Sequence, residues 1–444
     1  MTTSSALRPY TGYYKDQSAS PNLDLTRVGK GTPGGELLRR FWHPVMMSSM
    51  LGAVPHRFRA LGEDLVMFRD LSGRLGCLHL HCSHRGASLE FGLVAQRGIV
   101  CCYHGWHFDI DGTIVSRPGE ADPEGVCSTV NHGAYPVREH AGLIFIYMGP
   151  PEEQPPFWLP APVAAENNEL HPYYLPFPCN WLQSHENAMD PAHSVFLHTR
   201  VAGVQFSESF GILPSTAYRT TDRGVIATTA RRVDDRVWIR VMEELTPTGA
   251  QFGPPWEDGS VQKLAAPPAI TRWVTPIDDT HCATIGWRHF NKLVDPDGRG
   301  RPEDIGYGKV DFVGQTDERS YEERQIEPGD FDAQVSQRPI AVHALEHLGR
   351  TDIGVVMVRR NLLRKIEALK RGERINIVPG ADSGFVGTFS HDTVVPMPRS
   401  GENESAVLER LREAVTDATV ATLGQSDEAR RAAILDRLRA AEQC

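Results

Sequence analysis

The chain lacks a hydrophobic segment long enough to cross a membrane. No run of 18 apolar residues occurs in its 444 residues, and a helix that spans a bilayer needs roughly 20. Its first residues, MTTSSALRPYTGYYKDQ, also lack the basic stretch and apolar stretch of a secretory signal peptide. We therefore expect a cytoplasmic protein rather than a membrane-bound or exported one.

Positive charge is scarce as well. Lys and Arg number 46 against 56 Asp and Glu, which gives a formal net charge of -10 at pH 7. No cluster of Lys and Arg offsets this excess, so a nucleic-acid partner is disfavoured. There is no internal repeat and no low-complexity tract, and a hydrophobic content of 40% is ordinary for a globular protein of two or three domains.

Cysteines with the paired spacing of a disulfide framework are also missing. The eight cysteines are Cys77, Cys82, Cys101, Cys102, Cys127, Cys179, Cys282 and Cys444. In a chain of this size, such scattered positions indicate free thiols in a reducing compartment.

Two of these cysteines occur in short motifs that each add a histidine. The first motif is Cys82-Ser-His84, and the second is Cys101-Cys-Tyr-His104. Two thiolates and two imidazoles are what an asymmetric [2Fe–2S] centre requires, because two Cys bind one iron and two His bind the other. A Cys2His2 zinc site is the alternative, but zinc fingers usually pair like residues, whereas each motif here mixes the two types.

The two motifs together resemble the Rieske motif. In that family the Cys pair binds the inner iron and the His pair binds the outer iron near the surface. The resemblance therefore implies Cys82 and Cys101 for one iron, and His84 and His104 for the other. Matching C-x-H with C-x-x-H makes Cys101 the ligand and predicts that Cys102 is a buried neighbour.

Strand and helix patterns divide the chain into three parts. Residues 1–40 form a polar N-terminal segment. Residues 41–150 contain short apolar runs separated by turns, which predict an antiparallel β domain with the four cluster ligands on two loops at its tip. Residues 151–444 begin with a Pro-rich connector and mix strands with helices. The predicted fold class is α+β.

Individual elements are predicted from periodicity and from helix-breaking residues. Strands are expected at 225–233, 237–245 and 281–290, and residues 295–338 are expected to be rich in loops. Helices are expected at 36–43 (stopped by Pro44), 180–200, 338–350, 352–371 and 403–440, the last with a break near Gly424.

A second candidate metal site lies in the predicted helix at 180–200. His193 and His198 are five residues apart, so their side chains converge only if the helix ends or bends between them. Two His and one carboxylate form the facial triad of non-haem Fe(II) oxygenases, which leaves positions open for dioxygen and substrate. Taken alone, a His pair on a helix is more often structural, but this one follows the Cys–His motifs in the same chain.

The string ENAMDPAHSVFLH at 186–198 resembles the D-x2-H-x4-H motif of the Rieske non-haem iron oxygenases. The resemblance implies His193 and His198 as iron ligands. It also implies that Asp190 bridges His193 and His104 of a neighbouring subunit, where a carboxylate would fix the tautomer of both imidazoles. Asn187 matches the same motif, so the resemblance implies a catalytic role for Asn187 as well as for Asp190. A helix cap is the structural alternative for Asp190.

The third iron ligand is expected further along the chain. The segment GDFDAQVSQRPI at 329–340, followed by EHLG, resembles phthalate dioxygenase-like members of the family. The resemblance implies Asp330 as the ligand, with Asp332 as the alternative, and Asp352 is expected to cap the helix that follows. Residues 343–347 also fit the H-x-x-E-H pattern of inverted zinc proteases, but a five-residue pattern is weak and the family resemblance explains it better.

The two metal motifs in one chain predict reductive dioxygen chemistry. The resemblance is closest to the α subunits of phthalate dioxygenase-like aromatic ring-hydroxylating oxygenases. It implies a helix-grip (START-like) catalytic domain, a [2Fe–2S] cluster with a mononuclear Fe(II), and a homotrimer or stacked trimers. It also implies electrons from a separate NAD(P)H-dependent flavin and iron–sulfur reductase. No G-x-G-x-x-G unit follows a strand in this chain, so a separate reductase is needed in any case.

The expected reaction is hydroxylation or oxidative demethylation of a small aromatic substrate, with or without a carboxylate. Arg219 or Arg288 could pair such a carboxylate. Three aromatic residues could line the pocket or belong to the core, namely Trp256, Trp287 and Phe290. The alternative function is a Rieske-type electron carrier fused to a binding domain without oxygenase chemistry, although a carrier would not need the downstream His pair.

Overall fold

The structure is a computed structural model that describes residues 10–15, 18–121, 130–165, 167–375, 384–399 and 401–442. Six cysteines lie within these ranges and all are free thiols; Cys127 and Cys444 lie outside them. Among the described residues, no helix is both long enough and apolar enough to cross a membrane.

The N-terminal part is built from short antiparallel strands. They are β1 (Trp42–Met47), β2 (His56–Ala60), β3 (Glu63–Arg69), β4 (Leu75–His79), β5 (Leu93–Val94), β6 (Ile99–Val100), β7 (His107–Phe108), β8 (Ile114–Ser116), β9 (Ala134–Tyr135), β10 (Val137–His140) and β11 (Leu143–Tyr147). They form three small sheets with the orders β1-β11-β10, β2-β3-β4-β9 and β5-β6-β7-β8. Val66, Phe68, Leu78, Ile99 and Phe108 pack between the last two sheets.

The helix predicted at 36–43 is displaced toward the N-terminus. Two helices precede β1, namely α1 (Leu23–Thr26) and α2 (Pro33–Arg39). Pro33 occupies the first turn of α2 and the Thr32 hydroxyl accepts from the N–H of Gly35, which is a favourable start for a helix. Pro44 belongs to β1 instead of stopping a helix. Because β1 is an edge strand, the missing N–H of Pro44 is tolerated there.

The remaining strands form one large antiparallel sheet and a minor pair. They are β12 (Leu159–Pro160), β13 (Glu169–Phe177), β14 (Ser215–Thr220), β15 (Gly224–Val233), β16 (Arg236–Leu245), β17 (Gly249–Phe252), β18 (Lys263–Ala266), β19 (Ile270–Pro276), β20 (Cys282–Phe290), β21 (Phe385–Val386) and β22 (His391–Pro396). The sheet order is β13-β20-β19-β17-β16-β15-β14, with β22 pairing β16 and β18. The three strands predicted from the sequence are present as β15, β16 and β20.

The later helices pack on this sheet. They are α3 (Trp181–Glu186), α4 (Pro191–Val195), α5 (Tyr321–Ile326), α6 (Asp330–Val335), α7 (Ile353–Lys370), α8 (Glu404–Ala421) and α9 (Asp427–Glu442). The predicted helices at 352–371 and 403–440 correspond to α7 and to α8 with α9. The short helices α5 and α6 lie in the segment that was expected to be rich in loops.

The helix predicted at 338–350 is absent from the structure, which has only short 3-10 turns at His343–Leu345 and Arg350–Asp352. The part of the backbone that precedes these turns bonds to the start of α3, which competes with a continuous helix. The carbonyl of Pro339 accepts from the N–H of Asn180, and the N–H of Ala341 donates to the Gln183 side chain. Asp352 precedes α7, but its carboxylate accepts from the N–H of Gly349 (2.6 Å), so it does not cap α7 as expected.

The two faces of the large sheet have different coverings. Val237, Ile239 and Val241 of β16 pack against α8 and α9. Side chains alternate along a strand, so Arg240 and Met242 point to the opposite face, toward α3 and α4. This second face lines the candidate site.

Candidate metal centres

Two loops with the same hydrogen-bonded shape carry the Cys–His motifs. In the first, the N–H of Cys82 donates to the carbonyl of Ala87, and the N–H of Gly86 donates to the carbonyl of Cys82, both at 2.8 Å. Cys101 and Gly105 occupy the equivalent positions in the second loop, with distances of 2.8 and 3.0 Å. Both glycines have positive φ (76° and 71°), a conformation that favours glycine. A cysteine therefore opens each loop in the same way, although the histidine follows at a different offset.

The side chains of these loops converge as a cluster site would require. Cys82 and Cys101 are buried, and the rings of His84 and His104 lie 4.5 Å apart between centroids. Nδ1 of His84 is buried without a hydrogen-bond partner among the described residues. Burial raises the pKa of the Cys82 thiol to about 11, so a thiolate at this position calls for a bound cation. The residues fit a [2Fe–2S] cluster.

Cys102 does not occupy the position predicted for it. It is exposed to solvent, whereas Cys101 is only 2% exposed. The prediction of a buried neighbour was wrong because Cys102 is the second residue of the loop and faces outward while Cys101 faces the small sheets. The choice of Cys101 as the candidate ligand is consistent with this placement.

The helix predicted at 180–200 is broken into unequal turns that bring two histidines together. After α3, a 3-10 turn covers Asn187–Met189, and α4 then runs into a π-helical turn at Phe196–Val201. The chain thus changes after His193 from α-helical i→i+4 to π-helical i→i+5 hydrogen bonds, and it departs from the regular helix in which residues five apart point in different directions. The rings of His193 and His198 consequently lie 5.4 Å apart between centroids.

His193, His198 and Asp330 form a cluster in which one ligand atom of each lies within 4.8 Å of the others. Nε2 of His193 is 3.6 Å from Oδ1 of Asp330, and Nε2 of His198 is 3.2 Å from Oδ2. Nε2 of His198 is buried yet makes no hydrogen bond of acceptable geometry within the described chain. Asp332 is occupied elsewhere, since its carboxylate pairs with Arg319 (3.4 Å) and Arg324 (2.6 Å). Two imidazoles and a carboxylate fit a non-haem Fe(II).

Two amide side chains hold the carboxylate of Asp330. Nδ2 of Asn187 donates to Oδ1 at 3.0 Å, and Nε2 of Gln315 donates to Oδ2 at 2.7 Å. Burial by itself raises the pKa of Asp330, but the adjacent His198, with His193 and the Gln315 amide, brings this pKa well below its usual range. The carboxyl group is therefore ionised and ready to bind a cation. Gln315 lies in a loop that carries no recognisable sequence signal.

The outer nitrogen of each histidine is also held. Nδ1 of His198 donates to Oε1 of Gln205 at 2.9 Å, and Nδ1 of His193 donates to the backbone carbonyl of Asp190. These bonds leave each Nε2 lone pair free toward Asp330, as metal-binding histidines require. No sequence motif pointed to Gln205, and the group of Asp190 that accepts from His193 is the backbone carbonyl rather than the side-chain carboxylate expected from the sequence. The Asp190 carboxylate instead caps α4, where Oδ1 accepts from the N–H groups of Ala192 and His193.

A cavity of about 100 Å³ opens beside this cluster. Phe206 stacks on the His198 ring with 4.0 Å between centroids. Further apolar walls come from Phe210, Met242, Phe252, Ile270 and Phe312, and three arginines also reach the cavity, Arg231, Arg240 and Arg272. The apolar walls and the cluster leave room for a small organic molecule next to the metal ligands.

The residues expected to bind or surround the substrate lie elsewhere. Arg219 pairs with Asp417 at the surface, and Arg288 is fully buried against Asp311. Trp256, Trp287 and Phe290 do not line this cavity, and Trp287 belongs to the core between the first and last parts of the chain. Arg219 cannot bind a substrate in this cavity because it lies on β14 at the edge of the sheet. Arg288 cannot bind a substrate carboxylate because it already pairs with Asp311.

Comparison with known proteins agrees with this geometry. Residues 41–132 match the model of the Rieske [2Fe-2S] domain. The oxygenase subunit of tert-butanol monooxygenase / tert-amyl alcohol desaturase from Aquincola tertiaricarbonis is 45% identical, over 84% of this chain and 83% of that protein. Phenoxybenzoate dioxygenase subunit alpha from Ectopseudomonas oleovorans is 36% identical, over 81% and 88%. Dicamba monooxygenase bound to dicamba has the same fold, with a TM-score of 0.57 at 19% identity, over 76% of this chain and 99% of that one.

The fold and the two candidate centres define an oxidoreductase that couples an iron–sulfur cluster to a mononuclear iron. The chain belongs to the α subunits of the Rieske non-haem iron oxygenases. The predicted fold class, enzyme class and pair of cofactors are confirmed, and the family favours a terminal oxygenase over the electron-carrier alternative. As an oxygenase subunit, the chain works with a separate electron-transfer component.

Proposed function

We propose that this oxygenase binds its two centres through the residues predicted from the sequence. The cluster ligands are Cys82, His84, Cys101 and His104, in a domain covering 41–150 after an N-terminal segment of residues 1–40. The mononuclear iron ligands are His193, His198 and Asp330, in a catalytic domain covering 151–444. The observation that carries the proposal is the convergence of three ligand atoms within 4.8 Å at a cavity.

The contacts around the candidate iron site orient its ligands and limit the access of water. When bound, the two centres supply single electrons and a position where dioxygen meets the substrate. Gln205 and the Asp190 carbonyl keep the protons of the two histidines on Nδ1, and Asn187 and Gln315 keep the carboxylate oriented. Phe206 covers His198 and reduces the access of water.

The substrate that the cavity supports best is a small aromatic molecule, which is hydroxylated or oxidatively demethylated. Four phenylalanine side chains line the space, and aromatic rings pack favourably edge-to-face or offset. A small aliphatic alcohol is the second candidate, because the 45% identical relative is named for tert-butanol and tert-amyl alcohol. The relative at 36% identity is named for phenoxybenzoate, an aromatic acid.

Product analysis with labelled dioxygen tests this assignment. The protein, reconstituted with iron and sulfide, is supplied with a flavin and iron–sulfur reductase, NADH, and panels of aromatic acids, methoxyarenes and tertiary alcohols. Labelled oxygen in an aromatic product, or formaldehyde release from a methoxyarene, supports the proposal. Labelled product from the tertiary alcohols alone would show the second candidate to be correct.

Electron transfer is proposed to cross from one subunit to the next in a cytoplasmic homotrimer or pair of stacked trimers, with an NAD(P)H-dependent flavin and iron–sulfur reductase as the donor. Asp190 is partly exposed, and its Oδ2 accepts no hydrogen bond within the described residues. His104 is also partly exposed. These features allow Oδ2 of Asp190 to accept from the partner subunit's His104.

Subunit complementation tests this path. A chain with Cys101→Ser should lack the cluster, and a chain with Asp330→Ala should lack the mononuclear iron, so each is expected to be inactive alone. Mixed oligomers of the two should recover activity, because a cluster in one chain can reduce iron in the next. Mixing Cys101→Ser with Cys82→Ser is the matched control and should recover none. Inactive mixed oligomers with intact metal sites would contradict transfer between subunits.

A further inference from the structure

Arg272 lies on the face of the large sheet that lines the cavity, between small neighbours. It lies on β19 between Ile270 and Val274, which point to the same side. Its two cross-strand neighbours are small, Ala250 on β17 and Gly286 on β20. A Cβ added at Gly286 would approach Cβ of Arg272 to 2.9 Å. The strands beside Arg272 therefore leave room for a long side chain along the sheet surface.

The guanidinium of Arg272 has no carboxylate partner and no hydrogen-bond acceptor among the described residues. It forms no ion pair and no hydrogen bond there, and its buried Nε is unsatisfied. The guanidinium lies over the Phe252 ring, with 4.9 Å between Cζ and the ring centroid. Leaving a partly buried cation unpaired is costly, since its lost hydration is not replaced.

Two other buried arginines of the same sheet are neutralised. Arg240 pairs with Asp392 through two bonds of 2.8 and 2.7 Å, and Arg288 pairs with Asp311 at 2.7 and 3.0 Å. Asp392 on β22 and Asp311 in a loop after β20 thus neutralise these two arginines, whereas no carboxylate of the described residues pairs with Arg272. An unpaired guanidinium at a cavity indicates that the missing anion comes from outside the chain.

Arg231 adds a second unneutralised charge to the same cavity. It is 2% exposed, and its described bonds go to the Ile212 carbonyl (3.0 Å) and the Thr229 hydroxyl (3.2 Å), without a carboxylate. Burial, together with Arg240, lowers the pKa of Arg231 to about 9, so it remains charged at neutral pH. Away from the metal ligands, the cavity therefore has a positive excess that favours an anionic occupant.

We propose that Arg272 binds the carboxylate of the substrate, a single-ring aromatic monocarboxylate, and that Arg231 strengthens this preference through its charge. The planar guanidinium fork matches a carboxylate bidentately. The cavity volume of about 100 Å³ is of the same order as the roughly 150 Å³ of an engineered cavity that binds benzene, which favours a single ring over a larger aromatic system. The inference rests on the proposed function of this cavity and adds the chemical class of its substrate.

Equilibrium binding without reductant or dioxygen tests the inference separately from the reaction. The dissociation constants of benzoate and of neutral benzyl alcohol are measured by calorimetry on the metal-loaded protein and its variants. We expect the wild type to bind benzoate more tightly than benzyl alcohol. Arg272→Gln should weaken benzoate binding at least tenfold and change benzyl alcohol binding less than twofold. Arg272→Lys should retain the preference for benzoate at lower affinity, which provides a test if Arg272→Gln does not fold.

Arg219→Gln is the matched control, because Arg219 pairs with Asp417 at the surface and should not alter either dissociation constant. The inference is overturned if the wild type binds benzoate no better than benzyl alcohol, or if Arg272→Gln weakens both ligands equally. Loss of the reaction alone, with charge-dependent binding of benzoate intact, would instead count against the proposed function.

Discussion

Nδ2 of Asn187 donates a hydrogen bond to Oδ1 of Asp330 across 3.0 Å and joins segments 143 residues apart in the chain. Asn187 begins the 3-10 turn that follows α3, and Asp330 begins α6. The bond therefore connects the segment that carries both histidines to the carboxylate that completes the cluster. Replacing either residue should disturb the position of the metal rather than the sheet beneath it.

Replacing Asp330 by Ala should remove the mononuclear iron and leave the [2Fe–2S] spectrum intact. The reason is the loss of the only anionic donor among the three clustered ligands. Iron analysis should show one iron fewer per chain, with unchanged visible absorption. Asp332→Ala is the control, since that carboxylate pairs with Arg319 and Arg324. If Asp332→Ala loses the iron and Asp330→Ala keeps it, the ligand assignment is wrong.

Replacing Gln315 by Leu should weaken iron binding without abolishing it. The variant loses the 2.7 Å bond to Oδ2 of Asp330, and loss of such a supporting bond typically costs 10- to 100-fold in metal affinity. Competition with a ferrous chelator would measure the change. Asn187→Leu removes the bond to the other oxygen and should have an effect of similar size. An unchanged affinity in both variants would show that the carboxylate is oriented by other means.

Cys101→Ser and Cys102→Ser should behave oppositely. Cys101 is buried at the start of its loop, and Cys102 is exposed. Cys101→Ser is therefore expected to lose the cluster absorption, and Cys102→Ser to retain it. Maleimide should also label Cys102 in the native protein without bleaching the cluster. Loss of colour on modification of Cys102 would indicate that the two cysteines had been assigned the wrong way round.

Asp190→Asn should leave both centres bound and slow electron transfer between them. The amide oxygen can still accept from the N–H groups that begin α4, so the local fold is preserved. It cannot replace the carboxylate oxygen proposed to accept from the partner subunit's His104, because it lacks the negative charge. Rapid mixing of the reduced protein with dioxygen and substrate would give the rate of cluster oxidation. A wild-type rate in a single turnover would remove Asp190 from the path.

Asp392→Leu should destabilise the protein strongly, because it leaves Arg240 buried without its carboxylate. Breaking a buried pair from one side costs about 3–5 kcal/mol. Asp417→Ala breaks the exposed pair with Arg219 and should cost less than about 1 kcal/mol. Thermal unfolding of the two variants should therefore differ clearly in midpoint. Equal midpoints would mean that Arg240 finds another partner in the cavity.

Local spacing carried most of the information about the metal motifs. The offsets of His84 and His104 from their cysteines are unequal, although the two loops have equal length and each opens with a cysteine. The spacing of His193 and His198 predicted that a regular helix could not direct both side chains to one metal. In the structure, a π turn interrupts the regular helix after α4. Such features are visible in sequence because neighbouring residues alone determine them.

The cavity arginines left a weaker signal. On β16 the apolar residues Val237, Ile239 and Val241 alternate with Trp238 and Arg240, so an arginine at an inward position could have been noticed. The sequence of a single strand does not show which of the cavity arginines is paired with a carboxylate. The partner Asp392 lies on β22 and is brought beside Arg240 only by the pairing of β16 with β22.

The sequence by itself determined the family, the two candidate centres and most of the long elements, because these depend on residue type and short spacing. Only the tertiary structure placed Asp330 rather than Asp332 beside the histidines, exposed Cys102, removed the predicted helix at 338–350 and left Arg272 without a carboxylate partner among the described residues. Each of these depends on contacts between residues far apart in the chain. Such contacts form only when the sheet, α3 and α6 pack together, and no local pattern encodes them.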